Sequence, residues 1–445
     1  MTPTLDKHLP APSDVRAALG RHLLTDGFKM VLDMERSEGA HLRDAATGRD
    51  YVDFFTFFAS NPLGMNHPKL RGDDAFVERL LDAAVNKVSN SDVYTGHLAR
   101  FVDTFGRVGI PEELPHAFFV SGGALAVENA LKTAFDWKVQ KNFQKGYQRE
   151  RGHQVLHFKD AFHGRSGYTL SLTNTDPAKT RFFPKFDWPR VLNPHCNGPA
   201  DEADIEEREE AALNEAKLAF HTNRDDIAAI IIEPIQAEGG DNHFRPQFLQ
   251  ALRTLADENE ALLIFDEVQT GVGLTGSFWA YQGLGVTPDV IAFGKKAQVC
   301  GILAGPRVDE VDDNVFHVSS RINSTWGGNL VDMVRFDRIL EVIEEDGLVA
   351  HAAEAGAYLQ GQLRGLAERY EAVTSPRGRG LMCAFDLPST EVRNAVRHHA
   401  MEHGLLILGC GPRTIRFRPA LTITTAELDE GLAILDRALE VALGA

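Results

Sequence analysis

The chain has 445 residues, of which 43% are apolar and 24% charged, ordinary proportions for a folded enzyme with two or more lobes. Its formal net charge of -17 argues against nucleic acid as a partner, because proteins that bind phosphate backbones carry a basic face. The four cysteines are far apart in sequence, so they indicate neither a disulfide framework nor a metal site.

The first segment, MTPTLDKHLPAPSDV, lacks the basic and then apolar layout of a secretory signal. No apolar run reaches the length that crosses a bilayer. Together with the cysteine usage, these features predict a cytoplasmic protein without a membrane span.

Along the chain, HLRDAATGRDYVDFFTFF predicts an early hairpin that turns at Thr47-Gly48. Between residues 70 and 310, short apolar runs alternate with helical patterns; they are HAFFV, QVLHF, AAIIIEPI, ALLIFDEV, DVIAFG and GILAG. Because each run is continuously apolar, the runs predict a mainly parallel sheet that is covered by helices on both faces.

The rest of the chain predicts a smaller lobe. ADEADIEEREEAALNEAKLAF predicts an acidic surface helix, and DMVRFDRILEVIEEDGL predicts a long amphipathic helix that leads into this lobe. SPRGRGLMCAFDL and RTIRFRPALTIT predict strands within it. The expected division is an N-terminal segment (1–69) that contributes to the small lobe, a large domain (70–330) and a C-terminal domain (331–445).

Polar or glycine residues follow five of the predicted strands where each run ends. One such residue at one strand end usually meets water, but five converge at the edge of a parallel sheet where α/β proteins bind ligands. The five segments are Ser121-Gly122-Gly123, FHGR (162–165), QAEGG (236–240), Asp266-Glu267 and Lys295-Lys296.

The residue types at this edge indicate a cofactor. A lysine held out of water loses proton affinity, which makes its amine available as a nucleophile. Such a lysine, with Asp266 on an apolar strand and the helix start SGGALAVENALKTAF, suits pyridoxal 5'-phosphate (PLP). PLP needs an amine for its aldehyde, an acid for its pyridine nitrogen and N–H donors for its phosphate.

A second glycine pattern would indicate a different cofactor, a dinucleotide. Gly271, Gly273 and Gly276 of GVGLTG match the dinucleotide fingerprint GxGxxG. However, GVGLTG follows DEVQT instead of the strand itself, and no clear helix opens from it. A flexible loop beside the site is the better interpretation.

Five motifs carry a resemblance to a known family. FHGR, EPIQAEGG, FDEVQTGVGLTG, PDVIAFGK and STWGGN occur in the order seen in class III (ornithine/GABA-type) aminotransferases of PLP fold type I. The resemblance covers nearly the whole chain. It implies an α/β fold with a mainly parallel, seven-stranded central sheet, a smaller α+β lobe, PLP as cofactor and no metal. It also implies a homodimer with shared active sites.

Three further segments, NKVSNSDVYT, KFDWPRV and INSTWGGNLVDMVRF, resemble one branch of this family. That branch transfers the 6-amino group of L-lysine to 2-oxoglutarate. The products are L-glutamate and 2-aminoadipate 6-semialdehyde, which cyclises to a piperideine carboxylate.

The family pattern assigns roles at the cofactor. Lys295 would link to PLP and move the proton, whereas its neighbour Lys296 would be a supporting or surface charge. Ala124 stands where the family often has a hydroxyl residue, which leaves backbone donors at that point. The implied cofactor-binding residues are Gly123, Ala124, Phe162, Asp266, Val268, Gln269, Lys295 and, from the partner subunit, Thr325.

The resemblance also implies how two unlike substrates share one site. Arg165 would bind the remote carboxylate of either substrate. Glu238 would neutralise Arg416 while lysine is bound and release it for the α-carboxylate of glutamate. Arg418, on the same strand face, is the alternative to Arg416. Further substrate contacts near the entrance are implied for Ser60, Asn61 and the segment NSDVYT (90–95).

Three alternatives remain open. Another ω-aminotransferase, with ornithine, GABA or a diamine as donor, would use the same catalytic residues. A PLP racemase or mutase would not need 2-oxoglutarate. A non-catalytic binding protein could keep the scaffold, although Lys295 together with Asp266 argues against it.

Overall fold

The structure is a computed structural model that describes residues 9–198 and 202–444. The first eight residues, part of the segment that lacks a secretory signal, lie outside these ranges. The first two residues of the predicted acidic helix, 200 and 201, also lie outside them. From residue 202 onward this segment is helical, as predicted.

Helices make up much of the described chain. They are α1 (Val15–Leu19), α2 (Thr56–Ala59), α3 (Pro68–Arg71), α4 (Asp74–Val85), α5 (Gly96–Val108), α6 (Gly123–Gln144), α7 (Gly167–Leu172), α8 (Glu202–Thr222), α9 (Pro246–Glu258), α10 (Ala280–Leu284), α11 (Leu330–Glu345), α12 (Leu348–Arg369), α13 (Thr390–His403) and α14 (Thr425–Leu443). Among them, no described helix combines the length and the apolar character needed to cross a bilayer.

The strands belong to one large and three smaller sheets. They are β1 (His41–Arg43), β2 (Asp50–Asp53), β3 (His116–Val120), β4 (Gln154–Phe158), β5 (Arg190–Val191), β6 (Ile227–Ile232), β7 (Ile235–Gln236), β8 (Asn242–His243), β9 (Leu262–Asp266), β10 (Val290–Phe293), β11 (Cys300–Ala304), β12 (Thr374–Arg379), β13 (Met382–Asp386), β14 (Leu405–Leu406), β15 (Leu408–Cys410) and β16 (Thr414–Phe417).

The large sheet has seven strands in the order β3-β11-β10-β9-β6-β4-β5. Its pairs are parallel except for those of β11, which runs antiparallel to both of its neighbours. All six apolar runs of the sequence are strands of this sheet. The prediction of an α/β fold with a mainly parallel central sheet is therefore confirmed.

Burial explains why these strands are continuously apolar. Every residue of β6, β9, β10 and β11 is buried. Successive residues of β9 and β10 enter two different hydrophobic cores, because side chains alternate between the faces of a sheet. Helix α6 packs in one core, and helices α5, α9 and α11 contribute to the other.

The C-terminal part forms a four-stranded antiparallel sheet, in the order β12-β13-β16-β15. The predicted amphipathic helix is α11, and the two predicted strand segments overlap β12, β13 and β16. The hairpin at Thr47-Gly48 is present, since β1 pairs antiparallel with β2. Strand β14 joins this hairpin from the far end of the sequence. The division at residues 69 and 330 stays a prediction.

The segment GVGLTG is a loop between β9 and α10, as expected. It differs from the expected flexible loop because five of its six residues are buried and the sixth, Gly276, is half-buried. A Cβ on Gly271 would lie 2.4 Å from the ring of Trp279, and one on Gly276 would lie 2.9 Å from Ala353. Its glycines therefore allow close packing beneath the site, and the dinucleotide interpretation is not needed.

Candidate active site

The carboxyl ends of the parallel strands open into a cavity of about 390 Å³. Since β3, β4, β6, β9 and β10 run in one direction, the segments that follow them meet at one edge. The cavity is lined by Phe57, Phe58, Ser60, Gly123, Ala124, Val127, Phe162, His163, Gly164, Arg165, Glu233, Ile235, Glu238, Asp266, Val268, Gln269, Thr270, Lys295 and Arg416.

Lys295 lies just past the end of β10, in a short 3-10 turn whose backbone has a positive φ of 52° at this residue. Its amine lines the cavity. Burial, followed by the charge of Arg416, lowers the pKa of Lys295 from 10.5 to about 8, although the carboxylate of Asp266 acts in the opposite direction. This amine therefore gives up its proton more readily than an exposed lysine does, which suits a nucleophile or base.

Lys296 points away from the cavity. Its ammonium donates hydrogen bonds to the backbone oxygens of Gln269 at 2.7 Å and Ala59 at 3.4 Å, and the residue is buried. Burial and the neighbouring Lys295 lower its pKa well below the usual value. Two roles were expected for Lys296. Its burial favours a charge that supports the site and excludes a charge at the surface.

Asp266, the last residue of β9, is held by two hydrogen bonds. Its Oδ2 lies 2.8 Å from Nδ1 of His163, and its Oδ1 accepts from the backbone N–H of Val268 at 3.1 Å. The next residue, Glu267, is directed into the protein, where it accepts from the backbone N–H groups of Ala280 and Tyr281. Of this carboxylate pair, only Asp266 lines the cavity.

Glu233 was not predicted as a site residue. It is buried, and its carboxylate accepts from the backbone N–H groups of Phe162 at 2.9 Å and Ala237 at 3.0 Å. Burial, with a smaller contribution from the charge of Asp266, raises the pKa of Glu233 to about 7. Glu233 thus ties the segment after β4 to the segment after β6 and fixes the backbone of Phe162.

Helix α6 starts at the cavity wall. It begins at Gly123, after Gly122 with a φ of 115° and no side-chain cap, so the first backbone N–H groups have no helical partner. A Cβ on Gly123 would lie 3.1 Å from Val268, and one on Gly164 would lie 2.6 Å from the Cβ of Ala124. This close packing places unpaired N–H donors and the positive end of the helix dipole at the cavity, an arrangement that suits an anion such as phosphate.

Gln269 and Arg418 form a rigid pair behind the cavity. The amide oxygen of Gln269 accepts from Nε of Arg418 at 2.8 Å, which leaves the amide nitrogen as the end that can donate into the cavity. Arg418 is fully buried and forms a two-nitrogen ion pair with Asp241. Arg418 is thereby excluded as the alternative to Arg416.

Helix α2 is a left-handed turn, which the sequence did not predict. Residues Thr56 to Ala59 all have positive φ, between 38° and 63°. Left-handed backbone costs about 1–2 kcal/mol per non-glycine residue, so this turn needs support. Thr56 donates to the backbone oxygen of Arg418, Lys296 reaches the oxygen of Ala59, and Gln298 reaches that of Ser60. The turn brings the side chains of Phe57 and Phe58 into the cavity.

Glu238 stands between two cations. Its Oε1 accepts a short hydrogen bond from Nζ of Lys179, whereas its Oε2 lies 3.9 Å from Nη2 of Arg416. Burial acts to raise the pKa of Glu238, but the hydrogen bond from Lys179 and the charge of Arg416 hold it below its usual value. Arg416 is thus the arginine near Glu238, and Lys179 is an additional partner that the sequence did not reveal.

Arg165 is exposed at the mouth of the cavity, with its guanidinium carbon 5.8 Å from the ring centre of Phe162. Within the described part of the chain, it forms no ion pair or hydrogen bond. It is therefore available to an anionic group that enters.

Eleven predicted site residues meet in this one cavity. Two do not line it. Asn61 donates to the sulfur of Met65 at 3.6 Å, and Thr325 is exposed. None of residues 90–95 lines the cavity either, although Ser91 donates to the backbone oxygen of Ser324 at 2.6 Å. The residues that line the cavity are Ser60, Gly123, Ala124, Phe162, Arg165, Glu238, Asp266, Val268, Gln269, Lys295 and Arg416.

Comparison with known proteins points to one family. The model of the family "Aminotransferase class-III" matches residues 25–439. The L-lysine-epsilon aminotransferase of Mycobacterium tuberculosis is 57% identical over 431 residues, which are 97% of this chain and 96% of that protein. The enzyme of the same name from Streptomyces clavuligerus is 54% identical over 95% of this chain and 93% of that protein.

A solved structure is equally similar. The lysine aminotransferase from M. tuberculosis, in its internal aldimine form, has a TM-score of 0.96 and 57% identity. The matched region covers 97% of this chain and 100% of the M. tuberculosis chain. The chain therefore belongs to the class III aminotransferases, which are PLP-dependent transferases of fold type I.

Proposed function

We propose that this aminotransferase transfers the 6-amino group of L-lysine to 2-oxoglutarate, giving 2-aminoadipate 6-semialdehyde and L-glutamate. The observation that carries the proposal is the position of Glu238 between Lys179 and Arg416, because it provides a cation whose charge can be neutralised or released. The identity of 54–57% to enzymes named L-lysine-epsilon aminotransferases supports lysine as the donor.

The residues present fit PLP. Lys295 provides an amine with a pKa of about 8, and the start of α6 provides unpaired N–H donors for a phosphate. Asp266 provides a fixed carboxylate for a pyridine nitrogen, while Phe162 and Val268 would contact the two faces of the ring. When bound, PLP supplies an electrophilic aldehyde and a ring that withdraws electrons from the carbon that loses its proton.

The protein's own groups would then bind the substrates and move one proton. Lys295 would take the proton from the ε-carbon of lysine through Nζ, and it would deliver the proton within the same site. Asp266 would keep its carboxylate at the pyridine nitrogen, since His163 and the Val268 N–H restrict its rotation. Gln269 would donate from its amide nitrogen to the phenolic oxygen of the cofactor.

Two arginines would recognise carboxylates. Arg165, exposed at the mouth, would bind the remote carboxylate of each substrate. Arg416 would bind the α-carboxylate of glutamate or 2-oxoglutarate with a two-pronged contact. With lysine bound, no carboxylate lies next to the reacting carbon, and Glu238 would neutralise Arg416 instead. Ser60 would contribute to the cavity wall beside the substrate, and Asn61 would support it.

We further propose a cytoplasmic homodimer. The four cysteines are free thiols, which suits a reducing compartment. Thr325 is exposed and does not line the cavity of its own chain, which supports its proposed contact with the phosphate of a second subunit. The segment around it is anchored, because Ser91 contacts Ser324 and a Cβ on Gly327 would lie 2.8 Å from Ser91.

A panel of half-reactions tests the donor. The PLP-loaded enzyme is mixed separately with lysine, ornithine, GABA and glutamate, and the conversion of its absorbance band is followed. We expect lysine and glutamate to convert the band fastest. If ornithine or GABA outpaces lysine, lysine is not the donor; a racemase or mutase would release no glutamate from lysine and 2-oxoglutarate.

A further inference from the structure

Lys179 is the closest charged neighbour of Glu238. Its ammonium donates to Oε1 of Glu238 and, at 3.2 Å, to the hydroxyl of Thr175. Only 16% of the Lys179 side chain is exposed, and its ammonium lies 5.5 Å from the ring centre of Phe162. This lysine is therefore held against the cavity wall and does not extend into solvent.

The turn that carries Lys179 is fixed as well. Residues Pro177–Lys179 form a 3-10 turn that starts with a proline, and the side chain of Asp176 accepts from the backbone N–H of Ala178. Proline presets its own φ, and the cap satisfies a free donor. The position of the ammonium thus depends on a built turn, which keeps it within reach of Glu238.

Arg416, the other cation, is left incompletely bound. It is 3% exposed, and two of its nitrogens, Nε and Nη1, are buried without a hydrogen-bond partner. Its contact with Glu238 is 3.9 Å long, at the limit of an ion pair. A buried guanidinium with unused donors favours a bidentate anionic ligand, for which a substrate carboxylate has the right geometry.

We propose that Lys179 is a positioning residue that holds Glu238 away from Arg416 and so keeps Arg416 ready for the α-carboxylate of a dicarboxylate substrate. This inference rests on the proposed function and deepens it, because it adds a second cation to the release of Arg416. Two cations compete for one carboxylate. When Glu238 pairs with Lys179, Arg416 is open, and when Glu238 pairs with Arg416, the surface facing the substrate is neutral.

The competition also explains how the carboxylate keeps a cationic partner throughout the exchange. A carboxylate that left Arg416 without a new partner would lose its ion pair, which is costly in a partly buried place. Here Glu238 exchanges one cation for another, since Lys179 and Arg416 approach different oxygens of the same carboxylate. Glu238 thus has a cationic partner in both positions, as a switch between two substrates requires.

Binding of two unreactive ligands to the PLP-loaded enzyme tests the role of Lys179. Glutarate has the two carboxylates of 2-oxoglutarate without its keto group, and hexanoate has one carboxylate on a six-carbon chain. Dissociation constants are measured by calorimetry for the wild type, Lys179→Met, Lys179→Arg and the double variant Lys179→Met with Glu238→Gln. Melting temperatures of all four proteins are measured in parallel.

In Lys179→Met, Glu238 should turn to Arg416, so the Kd of glutarate should rise about tenfold while that of hexanoate changes little. Lys179→Arg should retain most of the glutarate affinity, because it keeps the competing charge. The double variant should regain tight glutarate binding, since the neutral amide cannot hold Arg416. This recovery distinguishes an action through Glu238 from direct binding of the ligand by Lys179.

The proposal is overturned if glutarate fails to bind the wild type, if Lys179→Met binds glutarate as tightly as the wild type does, or if the double variant binds it as weakly as Lys179→Met does. Equal losses for glutarate and hexanoate together with a lower melting temperature also contradict it, because they indicate a purely structural role. The choice of lysine as donor does not affect the glutarate result, so failure of the donor assignment is recognised separately.

Discussion

Nδ1 of His163 lies 2.8 Å from Oδ2 of Asp266, and both side chains are almost completely buried. A carboxylate can only accept, so the imidazole donates at Nδ1. The remaining ring nitrogen, Nε2, is buried without a partner. His163 therefore has one evident task, to fix the rotation of the carboxylate that is proposed to meet the cofactor's pyridine nitrogen.

Replacing His163 by Leu should weaken PLP binding and lower kcat by about tenfold or more, since a hydrogen bond to a charged group contributes about 1.5–3 kcal/mol. The amide of a His163→Gln variant keeps a donor and should recover part of the loss. Cofactor affinity and kcat of both variants provide the measurement. Equal activity in His163→Leu and the wild type would contradict the positioning role.

The lowered pKa of Lys295 has a consequence for stability in the apoprotein. Because the folded state holds this amine at about 8 instead of 10.5, folding disfavours its protonated form. The penalty is fully present below pH 8 and disappears above pH 10.5. A Lys295→Met variant should thus be more stable than the wild type at pH 7, by up to about 3 kcal/mol.

The advantage of Lys295→Met should shrink to about 1 kcal/mol at pH 9.5, where the wild-type amine is mostly neutral in the folded state. Urea unfolding of both apoproteins at pH 7 and pH 9.5 measures this difference. Lys296 is present in both proteins, and because the charge of Lys295 contributes to its lowered pKa, loss of that charge acts in the same direction. A stability difference that does not depend on pH would show that the Lys295 amine titrates normally.

Close packing of Gly164 on Ala124 should be needed for the phosphate site. A Cβ at Gly164 would lie 2.6 Å from that of Ala124, so Gly164→Ala should displace the start of α6 and weaken PLP binding by about tenfold or more. Gly146→Ala is the matched control, because Gly146 also has a positive φ, of 96°, but nothing lies near its added Cβ. The control should lose only about 1 kcal/mol of stability and bind PLP normally.

Glu238→Ala should slow the half-reaction with lysine about tenfold more than the half-reaction with glutamate. Without the carboxylate, Arg416 remains an unneutralised charge beside the methylene chain of lysine, whereas glutamate brings its own carboxylate. Single-turnover rates with each substrate give the comparison, and the glutamate reaction is the internal control. Equal slowing of both half-reactions would exclude the exchange at Glu238.

Much of the fold and of the site follows from local sequence patterns. Continuous apolar runs identified every strand of the central sheet except the two-residue β5, because burial on both faces leaves no polar alternation. Asp266 and Lys295 were predicted as site residues because they lie at the ends of those runs, and parallel strands bring their carboxyl ends together. Chain direction and burial were enough to predict this part of the site.

Other site residues depend on contacts between distant segments, which no local pattern reveals. Lys179 reaches Glu238 from a surface turn, and Lys296 is buried beside Lys295 although its sequence position is equally suited to solvent. The left-handed turn at 56–59 contains no glycine, so its backbone is imposed by tertiary hydrogen bonds. The buried GVGLTG loop was likewise interpreted as flexible because its packing partners, such as Ala353, are remote in sequence.

The role of Lys295 is tested most directly by borohydride reduction of the PLP-loaded enzyme, followed by peptide mass spectrometry. Reduction makes the link between PLP and a lysine permanent, and the two adjacent lysines can be distinguished in the fragment spectrum. We expect the label on Lys295 alone, and neither label nor transamination in Lys295→Ala. A label on Lys296, or a Lys295→Ala enzyme that keeps its absorbance band and turnover, would contradict the proposed site.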